Sequence, residues 1–318
     1  MLELIKFRPQ YFERLWGGRS LESLYKKRLP KDKLIGESWE ISAVQGSLSV
    51  IKEGALKGNN IEELIEIYMG DVVGEKVYEQ FGLEFPLLTK FIDAKDVLSI
   101  QVHPGDELAR KRHSCFGKTE MWHIVSAEKG AVIYLGFKKE TSSEEYVNAC
   151  VNGTLPSLLN KIEVKKGESY IIPSGTIHAI GAGIVIAEIQ QTSDVTYRVN
   201  DWNRLDSNGE PRDLHEEEAL DAIDFSKPGN YNITKPIKVN EAAELVKCKY
   251  FTVNEIELQG EVNRDYSRLD SFVICMLIDG EISVNDTKIK TGESILIPAI
   301  IEEVTLTGCG RLLEIYID

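Results

Sequence analysis

The chain has 318 residues, of which 42% are hydrophobic and 28% are charged, and its formal net charge is −14. This hydrophobic content supports a full core and excludes a mainly disordered chain, and the length is typical of about two domains. No apolar run approaches the roughly 18 residues that a membrane-spanning helix needs, and so acidic a chain lacks the basic footprint of a nucleic-acid-binding protein.

Two further features bear on where the protein resides. The N-terminus carries Glu3, Lys6 and Arg8 where a signal peptide would have an apolar stretch. The five cysteines are odd in number, widely spaced and without a CxxC pair, which argues against a disulfide framework or a cysteine-ligated zinc site. We therefore expect a cytoplasmic protein with reduced cysteines and with neither membrane nor nucleic-acid partners; its oligomeric state cannot be read from the sequence.

Helical signals are confined to a few segments. Asn60 with Glu63 resembles an N-terminal capping box, and a helical apolar stripe follows it until Gly70 and Gly74 interrupt the pattern. Ser142 opens a second helix in the same way, and 214–223 is predicted to be a third. The polar stretch 105–118 is predicted to be a loop.

Most of the remaining chain consists of short β-rich runs separated by Gly, Pro, Asn and Asp, which predicts a sandwich or barrel. The clearest strand candidates are 99–103, 120–125, 131–136, 169–173, 184–190, 271–278, 281–284, 294–297 and 311–317.

An internal similarity indicates two copies of one β unit. Residues 166–173 (KGESYIIP) match residues 291–298 (TGESILIP), and in both a turn glycine precedes a strand that ends in proline. Matching Gly130 to Gly280 places Asp270 at the position of Glu120. The second copy has no histidine, so we expect the first unit alone to carry a metal. We predict a mainly β protein with a domain at 1–232 and a smaller one at 233–318.

Four residues of the first unit have the chemistry of metal ligands. Gln101 and His103 are two apart on a predicted strand, so both point to one face, and burying them without partners would cost a few kcal/mol each. Glu120 starts the next strand, whose alternation turns His123 to the opposite face. His178 ends the run G-x5-P-x-G-x2-H, a motif of the cupin barrel. Two imidazoles and a carboxylate suit one catalytic zinc ion per chain, although manganese or iron accept similar ligands.

The chain also resembles the type I mannose-6-phosphate isomerases in their short bacterial form. The stretches that carry this resemblance are LWGG at 15–18, GESWEIS at 36–42, FPLLTKFIDA at 85–94, LSIQVHP at 98–104, GKTEMW at 117–122, PSGTIHA at 173–179 and QQTSDVTYRVNDW at 190–202.

The resemblance implies two cupin-type jelly-roll barrels or sandwiches with inserted helices. It also implies zinc at Gln101, His103, Glu120 and His178, with the second barrel lacking metal ligands.

Catalytic roles are implied for Lys118, Asp194 and Arg198, and Lys118 and Arg198 are also substrate-binding candidates. Asp194 lies four residues before Arg198, so on a regular strand both share a face, where Asp194 would orient Arg198 or carry a proton. Further substrate-pocket candidates are Ser99, Lys90 and Trp16.

The implied reaction interconverts mannose 6-phosphate and fructose 6-phosphate through an enediolate. Two alternatives remain open from the sequence. One is a different cupin metalloenzyme, against which the Lys118 and Arg198 pair argues because it suits a phosphorylated sugar. The other is a non-catalytic sugar-phosphate-binding cupin, which would have lost a ligand or Arg198. The proton-transferring base is not identified by the sequence.

Overall fold

The structure is a computed structural model that describes residues 2–206, 208–226 and 229–318. Its strands are β1 Gln10–Gly18, β2 Ile35–Ile41, β3 Leu87–Ala94, β4 Ile100–Val102, β5 Glu120–Ala127, β6 Val132–Phe137, β7 Leu159–Glu163, β8 Ser169–Ile172, β9 His178–Ile180, β10 Ile184–Gln191, β11 Tyr197–Asn200, β12 Ala242–Lys247, β13 Thr252–Asp265, β14 Val273–Val284, β15 Thr287–Lys290, β16 Ser294–Ile297 and β17 Glu303–Tyr316. Its helices are α1 Ser20–Tyr25, α2 Ile61–Tyr68, α3 Gly70–Val73, α4 Glu75–Phe81, α5 Asp106–His113, α6 Ser143–Val151 and α7 Glu216–Ala222.

The strands form three open sheets rather than closed barrels, which corrects the barrel half of the prediction and confirms a mainly β fold. The first sheet has the order β1-β2-β3-β10-β5-β8, and the second has the order β11-β4-β9-β6-β7. The third contains β12-β13-β17-β14-β15, with β16 paired to β14. All strands of the third sheet come from residues after 241, while the division at 232/233 itself stays a prediction.

The first two sheets pack face to face around one apolar core. Trp122 and Ile186 of the first sheet and Leu135 and Ile180 of the second belong to the same buried cluster. The other face of the second sheet is covered by α6 and α7. The metal-ligand candidates therefore lie in a sandwich that is protected on its helical side.

The other face of the first sheet packs against the third sheet. Met121 and Ala187 of the first sheet share a buried cluster with Ile274, Met276 and residues of α2 to α4. The interior of the third sheet forms a separate cluster that includes Val273, Cys275 and Leu312. The two β units thus meet through an apolar core of their own.

The predicted helix starts are confirmed. The side chains of Asn60 and Ser142 each accept a hydrogen bond from the backbone N–H three residues on. The carboxylates of Glu63 and Glu145 accept in turn from the backbone N–H of Asn60 and Ser142, so both capping boxes are complete. Gly70 and Gly74 do divide the stripe into α2, α3 and α4.

The prediction of a loop at 105–118 is wrong, because 106–113 forms α5. This helix is almost entirely polar and buries only Ala109, so it lacks the apolar stripe by which a helix is detected. The strands expected at 271–278 and 281–284 form one long strand, β14, whose register is irregular between Leu277 and Asp279. None of the helices in the described ranges is both long and apolar enough to cross a membrane.

Candidate metal centre and its cavity

Three residues with metal-ligand chemistry meet at one point between the first two sheets. One ligand atom from each of His103, Glu120 and His178 lies within 4.8 Å of the others. The Nε2 atoms of both histidines are 3.4 Å from Glu120, one from each carboxylate oxygen. All three side chains are at most 1% exposed.

The strand pairing brings this group together from distant parts of the chain. Gln101 of β4 pairs with His178 of β9, and the Nε2 atoms of the two side chains are 3.2 Å apart. The neighbours Ile100 and Val102 point to the opposite face, into the helix-covered core. Turning the Gln101 amide by 180° places its oxygen where its nitrogen now lies, so this side chain has a fourth ligand atom to offer.

Backbone carbonyls set the tautomer of both histidines. The Nδ1–H of His103 donates to the carbonyl of Val195 at 3.0 Å, and that of His178 donates to the carbonyl of Thr176 at 2.8 Å. A carbonyl can only accept, so in a neutral ring the remaining Nε2 carries a lone pair. In both histidines this Nε2 lies on the side of the ring that faces the carboxylate of Glu120 at 3.4 Å.

The electrostatic environment keeps the group in its metal-binding protonation state. Burial, and next the charge of Lys118, lower the pKa of His103 to about 3. Burial also lowers the pKa of His178. Burial alone would raise the pKa of Glu120, but Lys118 and the two imidazoles hold it well below its usual range. Two neutral imidazoles and a carboxylate are thus available at neutral pH.

Glu120 is poorly satisfied by the protein itself. Neither carboxylate oxygen accepts a well-aligned hydrogen bond within the described residues. Its nearest cation is Lys118, whose Nζ lies 3.0 Å from one oxygen and 2.9 Å from Nε2 of His103. Lys118 lies near only one of the two oxygens, and a divalent cation held jointly with the histidines would satisfy the buried carboxylate further. The donor set therefore fits the zinc ion that the sequence led us to expect.

A cavity of about 310 Å³ opens beside this centre. Trp16, Lys90, Ser99, Lys118, Asp194 and Arg198, all of them predicted site residues, line it together with Gln101. The other lining residues are Arg14, Glu37, Trp39, Ile92, Leu98, Ile180, Glu188, Thr196 and Arg212.

Most of the cations in this cavity are paired with a carboxylate. The distances are 3.1 Å for Arg14–Glu37, 2.7 Å for Lys90–Glu188, 3.0 Å for Lys118–Glu120 and 2.5 Å for Arg212–Asp201.

Arg198 is the exception among the cations that line the cavity. No carboxylate of the described residues lies within 4.0 Å of it, and its buried Nε–H has no acceptor. One terminal amino group donates to the backbone carbonyl of Asp213 at 2.7 Å. Burial, and next the charge of Arg212, lower the pKa of Arg198. This guanidinium is accordingly free to receive an anionic ligand.

One expectation about Asp194 is wrong. It lies outside β11, which begins at Tyr197, so strand alternation does not align it with Arg198. Its exposed carboxylate makes no hydrogen bond or ion pair within the described chain. Asp194 lines the cavity but does not orient Arg198.

Sequence reasoning missed two groups in the cavity. Glu188 lies in the middle of β10 directly opposite Lys90 of β3. One of its carboxylate oxygens pairs with Lys90, and the other accepts from the indole N–H of Trp122 at 2.9 Å. An acid inside the apolar run IVIAEIQQ was the available signal, because a buried strand seldom carries a charge without a partner. Arg212 gave no such signal, because it lies in an irregular loop.

His123 points away from the centre, as strand alternation predicts. Its Nδ1 is 3.0 Å from Oγ of Ser169 and 4.0 Å from Glu255 of the third sheet. Burial, and next the charge of Arg311, lower its pKa to about 4. It is a neutral histidine between the two β units.

Known proteins share the sequence pattern and the fold of this chain. Residues 4–122 match the family model for the catalytic domain of type I phosphomannose isomerase, and residues 241–317 match that for the cupin domain of mannose-6-phosphate isomerase. A mannose-6-phosphate isomerase of Streptococcus mutans is 35% identical over 97% of this chain and 96% of its own length. The chain belongs to the type I phosphomannose isomerase family.

Further similar proteins extend the comparison. Mannose-6-phosphate isomerase ManA of Bacillus subtilis is 34% identical over 96% of each chain. The crystal structure of a mannose 6-phosphate isomerase from Bacillus subtilis superposes with a TM-score of 0.85 at 33% identity, covering 99% of this chain and 100% of that one. A zinc-bound mannose 6-phosphate isomerase shares the fold, with a TM-score of 0.82 at 19% identity over the full length of both chains.

Proposed function

We propose that the protein is a metal-dependent aldose–ketose isomerase that interconverts mannose 6-phosphate and fructose 6-phosphate. The observation that carries this proposal is the juxtaposition of a buried His–Glu–His group with a cavity that contains one unpaired arginine. The reaction needs a stabiliser for enediolate charge, a group that receives an anion and a proton carrier, and the cavity has candidates for each. Membership of the type I family supports the same activity.

Zinc is the proposed cofactor, one ion per chain, held by Gln101, His103, Glu120 and His178. Support comes from the donor set, from the tautomers fixed by backbone carbonyls and from the zinc-bound relative of the same fold. When bound, such an ion supplies Lewis-acid stabilisation of the oxyanion that develops on the sugar. The protein's part is to present three buried ligands, His103, Glu120 and His178, whose histidine tautomers are fixed, with Gln101 beside them.

Arg198 is proposed to bind the negative charge of the substrate. It pairs in register with Gln101 on the adjacent strand, so its side chain starts beside the metal centre. Its free donors suit either the enediolate or the phosphate, and these two roles predict different kinetics. Lys118 contacts both His103 and Glu120, and we propose that it stabilises negative charge next to the metal site.

Glu188 is proposed as the proton carrier in preference to Asp194. Burial, and next the charge of Glu120, raise the pKa of Glu188, while Lys90 and Lys118 oppose the shift. A buried carboxyl whose pKa is raised is a better general acid–base at neutral pH than an exposed aspartate. The ion pair with Lys90, at 2.7 Å, holds it at the cavity wall.

The test is a coupled assay of mannose 6-phosphate isomerisation on the purified protein. EDTA should abolish turnover and added zinc should restore it. Substituting a redox-inactive divalent ion should retain activity, because no electron leaves the substrate in this reaction. A protein that binds the sugar phosphate without turnover in the zinc-loaded state would instead be a non-catalytic binder.

A further inference from the structure

A loop leaves β11 and returns to Arg198, carrying charged residues over the cavity. The backbone N–H of Arg198 donates to Nδ1 of His215 at 3.1 Å, and the backbone N–H of His215 donates to the carbonyl of Arg198 at 2.8 Å. This closure fixes both ends of the segment 201–215. Arg212, near its end, lines the same cavity as Arg198.

Asp201 holds Arg212 in place. Its Oδ2 accepts from Nε of Arg212 at 2.7 Å and its Oδ1 from a terminal amino group at 2.5 Å, which is a two-pronged pair. Oδ1 also accepts from Arg204 at 2.9 Å. Asp201 is only 6% exposed. One buried carboxylate therefore binds two arginines. Because its single negative charge is shared between Arg204 and Arg212, the three groups together carry a net positive charge.

Arg198 and Arg212 also act on each other through their charges. Arg198 has no carboxylate partner, and Arg212 keeps part of its positive charge, so the field between them favours an anion. A phosphate monoester carries a charge of about −1.5 to −2 at neutral pH and has three acceptor oxygens, which suits two neighbouring guanidinium groups. Among the cations that line this cavity in the described residues, only Arg198 lacks a carboxylate within 4.0 Å, and the cation that acts on it most strongly is Arg212.

We propose that Asp201 is a positioning residue which fixes Arg212 so that Arg212 and Arg198 together receive the substrate's phosphate. The inference rests on the proposed function and extends it to the orientation of the substrate, with the phosphate at the loop end of the cavity and the reacting carbons at the metal end. Arg212 thus acts on binding in both ground and transition states, whereas the metal end acts on the chemical step.

The experiment compares Arg212→Gln, Arg212→Lys and Asp201→Asn with the wild-type holoenzyme. Arg212→Gln should raise KM for mannose 6-phosphate and the inhibition constant of inorganic phosphate by about 10-fold, with kcat within about 3-fold. Asp201→Asn should raise KM and the phosphate inhibition constant by about 3- to 10-fold, because Arg212 keeps its charge but loses the carboxylate that positions it. Arg212→Lys should not restore wild-type KM, since lysine lacks the two-pronged geometry.

Two controls separate positioning from folding. Arg112→Gln, at an exposed ion pair with Asp221, should leave both parameters unchanged. Arg204 is the other arginine that Asp201 binds, and Arg204 does not line the cavity. Arg204→Gln should therefore raise KM and the phosphate inhibition constant less than Arg212→Gln does. Metal content and melting temperature are measured for every variant. Asp201→Glu keeps a carboxylate for Arg212, so its KM should lie between those of the wild type and Asp201→Asn.

Unchanged KM and phosphate inhibition in Arg212→Gln, or a loss confined to kcat, would overturn the proposal. So would a larger effect for Arg204→Gln, since Asp201 would then act for that arginine. If the wild type does not isomerise mannose 6-phosphate, the proposed function fails separately. Calorimetric titration of the wild type and Arg212→Gln with inorganic phosphate would still decide the anion site.

Discussion

The two β units use matching strands in different ways. In the first unit β5 pairs with β8, and Glu120 lies opposite Ile172. In the second, β14 pairs with β16, and Val273 lies opposite Ile297, the counterpart of Ile172 in the repeated segment. Pairing register therefore makes Val273 the counterpart of Glu120, which corrects the sequence match to Asp270.

A second pair of equivalent positions, three residues further along β5 and β14, also differs in polarity. His123 opposite Ser169 corresponds to Met276 opposite Ser294. Met276 packs in the apolar core between the units, and His123 lies at that interface beside Glu255. At equivalent positions, the first unit carries polar side chains and the second carries apolar ones. The same strand pairing accommodates both, provided that every buried polar group has a partner.

The largest effect is expected from removing a metal ligand of the first unit. His103→Ala and His178→Ala should each lose the metal and lower kcat by about 10³-fold or more, because the metal's stabilisation of the developing oxyanion is lost. Elemental analysis and the coupled assay measure both losses. His123→Ala is the matched control and should keep its metal. Retention of metal in His178→Ala alongside its loss in His123→Ala would reverse the site.

Arg198→Lys distinguishes the two roles proposed for this residue. If Arg198 holds the enediolate, kcat should fall by about 10²–10³-fold, since that charge exists only in the transition state. If it holds phosphate together with Arg212, KM should rise with kcat little changed. The proposed phosphate site at Arg198 and Arg212 favours this second outcome. Steady-state kinetics on folded, metal-loaded protein decide between them. Normal values of both parameters would remove Arg198 from the mechanism.

Val273→Glu copies the carboxylate of the first unit into the second. Val273 is 1% exposed in an apolar cluster, so the new acid has no partners there. We expect the free energy of unfolding at pH 8 to fall by about 3 kcal/mol or more, with part of the loss recovered at pH 5 as the acid is protonated. Urea unfolding at both pH values measures this. Equal destabilisation by Val273→Leu would show that size rather than charge is the cause.

Glu255→Gln probes the polar edge of the interface between the units. Burial raises the pKa of Glu255 to about 7, against the charge of Arg311. The folded state then binds more protons than the unfolded state between about pH 4.5 and 7, so this group lowers stability as pH rises through that window.

Removing the ionisation should make Glu255→Gln more stable relative to wild type at pH 8 than at pH 5, by about 1–3 kcal/mol. The opposite pH trend of His123 is present in both proteins and cancels in the difference. Urea titrations at the two pH values give the comparison. A variant that is destabilised equally at both would mean that the pair with Arg311 outweighs burial.

Local signals predicted much of the fold and of the site. Both capping boxes lie next to their helices in the sequence, and strand alternation placed Gln101 with His103 and turned His123 away. Gln101 and His103 were found because polar side chains on one face of a β-rich run need a reason to be buried, and His178 was found from the motif G-x5-P-x-G-x2-H.

What the sequence did not reveal depends on contacts between distant segments. Helix α5 buries only Ala109 and so has no apolar stripe that a sequence pattern could reveal. The ion pair of Glu188 with Lys90 joins strands about a hundred residues apart, and Arg212 reaches the cavity only because its loop closes back on Arg198. Asp194 was misplaced because strand alternation was applied across a segment that is not a strand.

The apolar core between the two β units gives the chain the geometry of a dimer. Met121 and Ile274 occupy corresponding positions on β5 and β14, and both lie in that core, so each unit presents the same face to the other. In a two-fold homodimer, too, the same face of each subunit is buried against its partner. Separating the units would expose the apolar face of each to water, so the second unit serves the first as a permanently attached subunit.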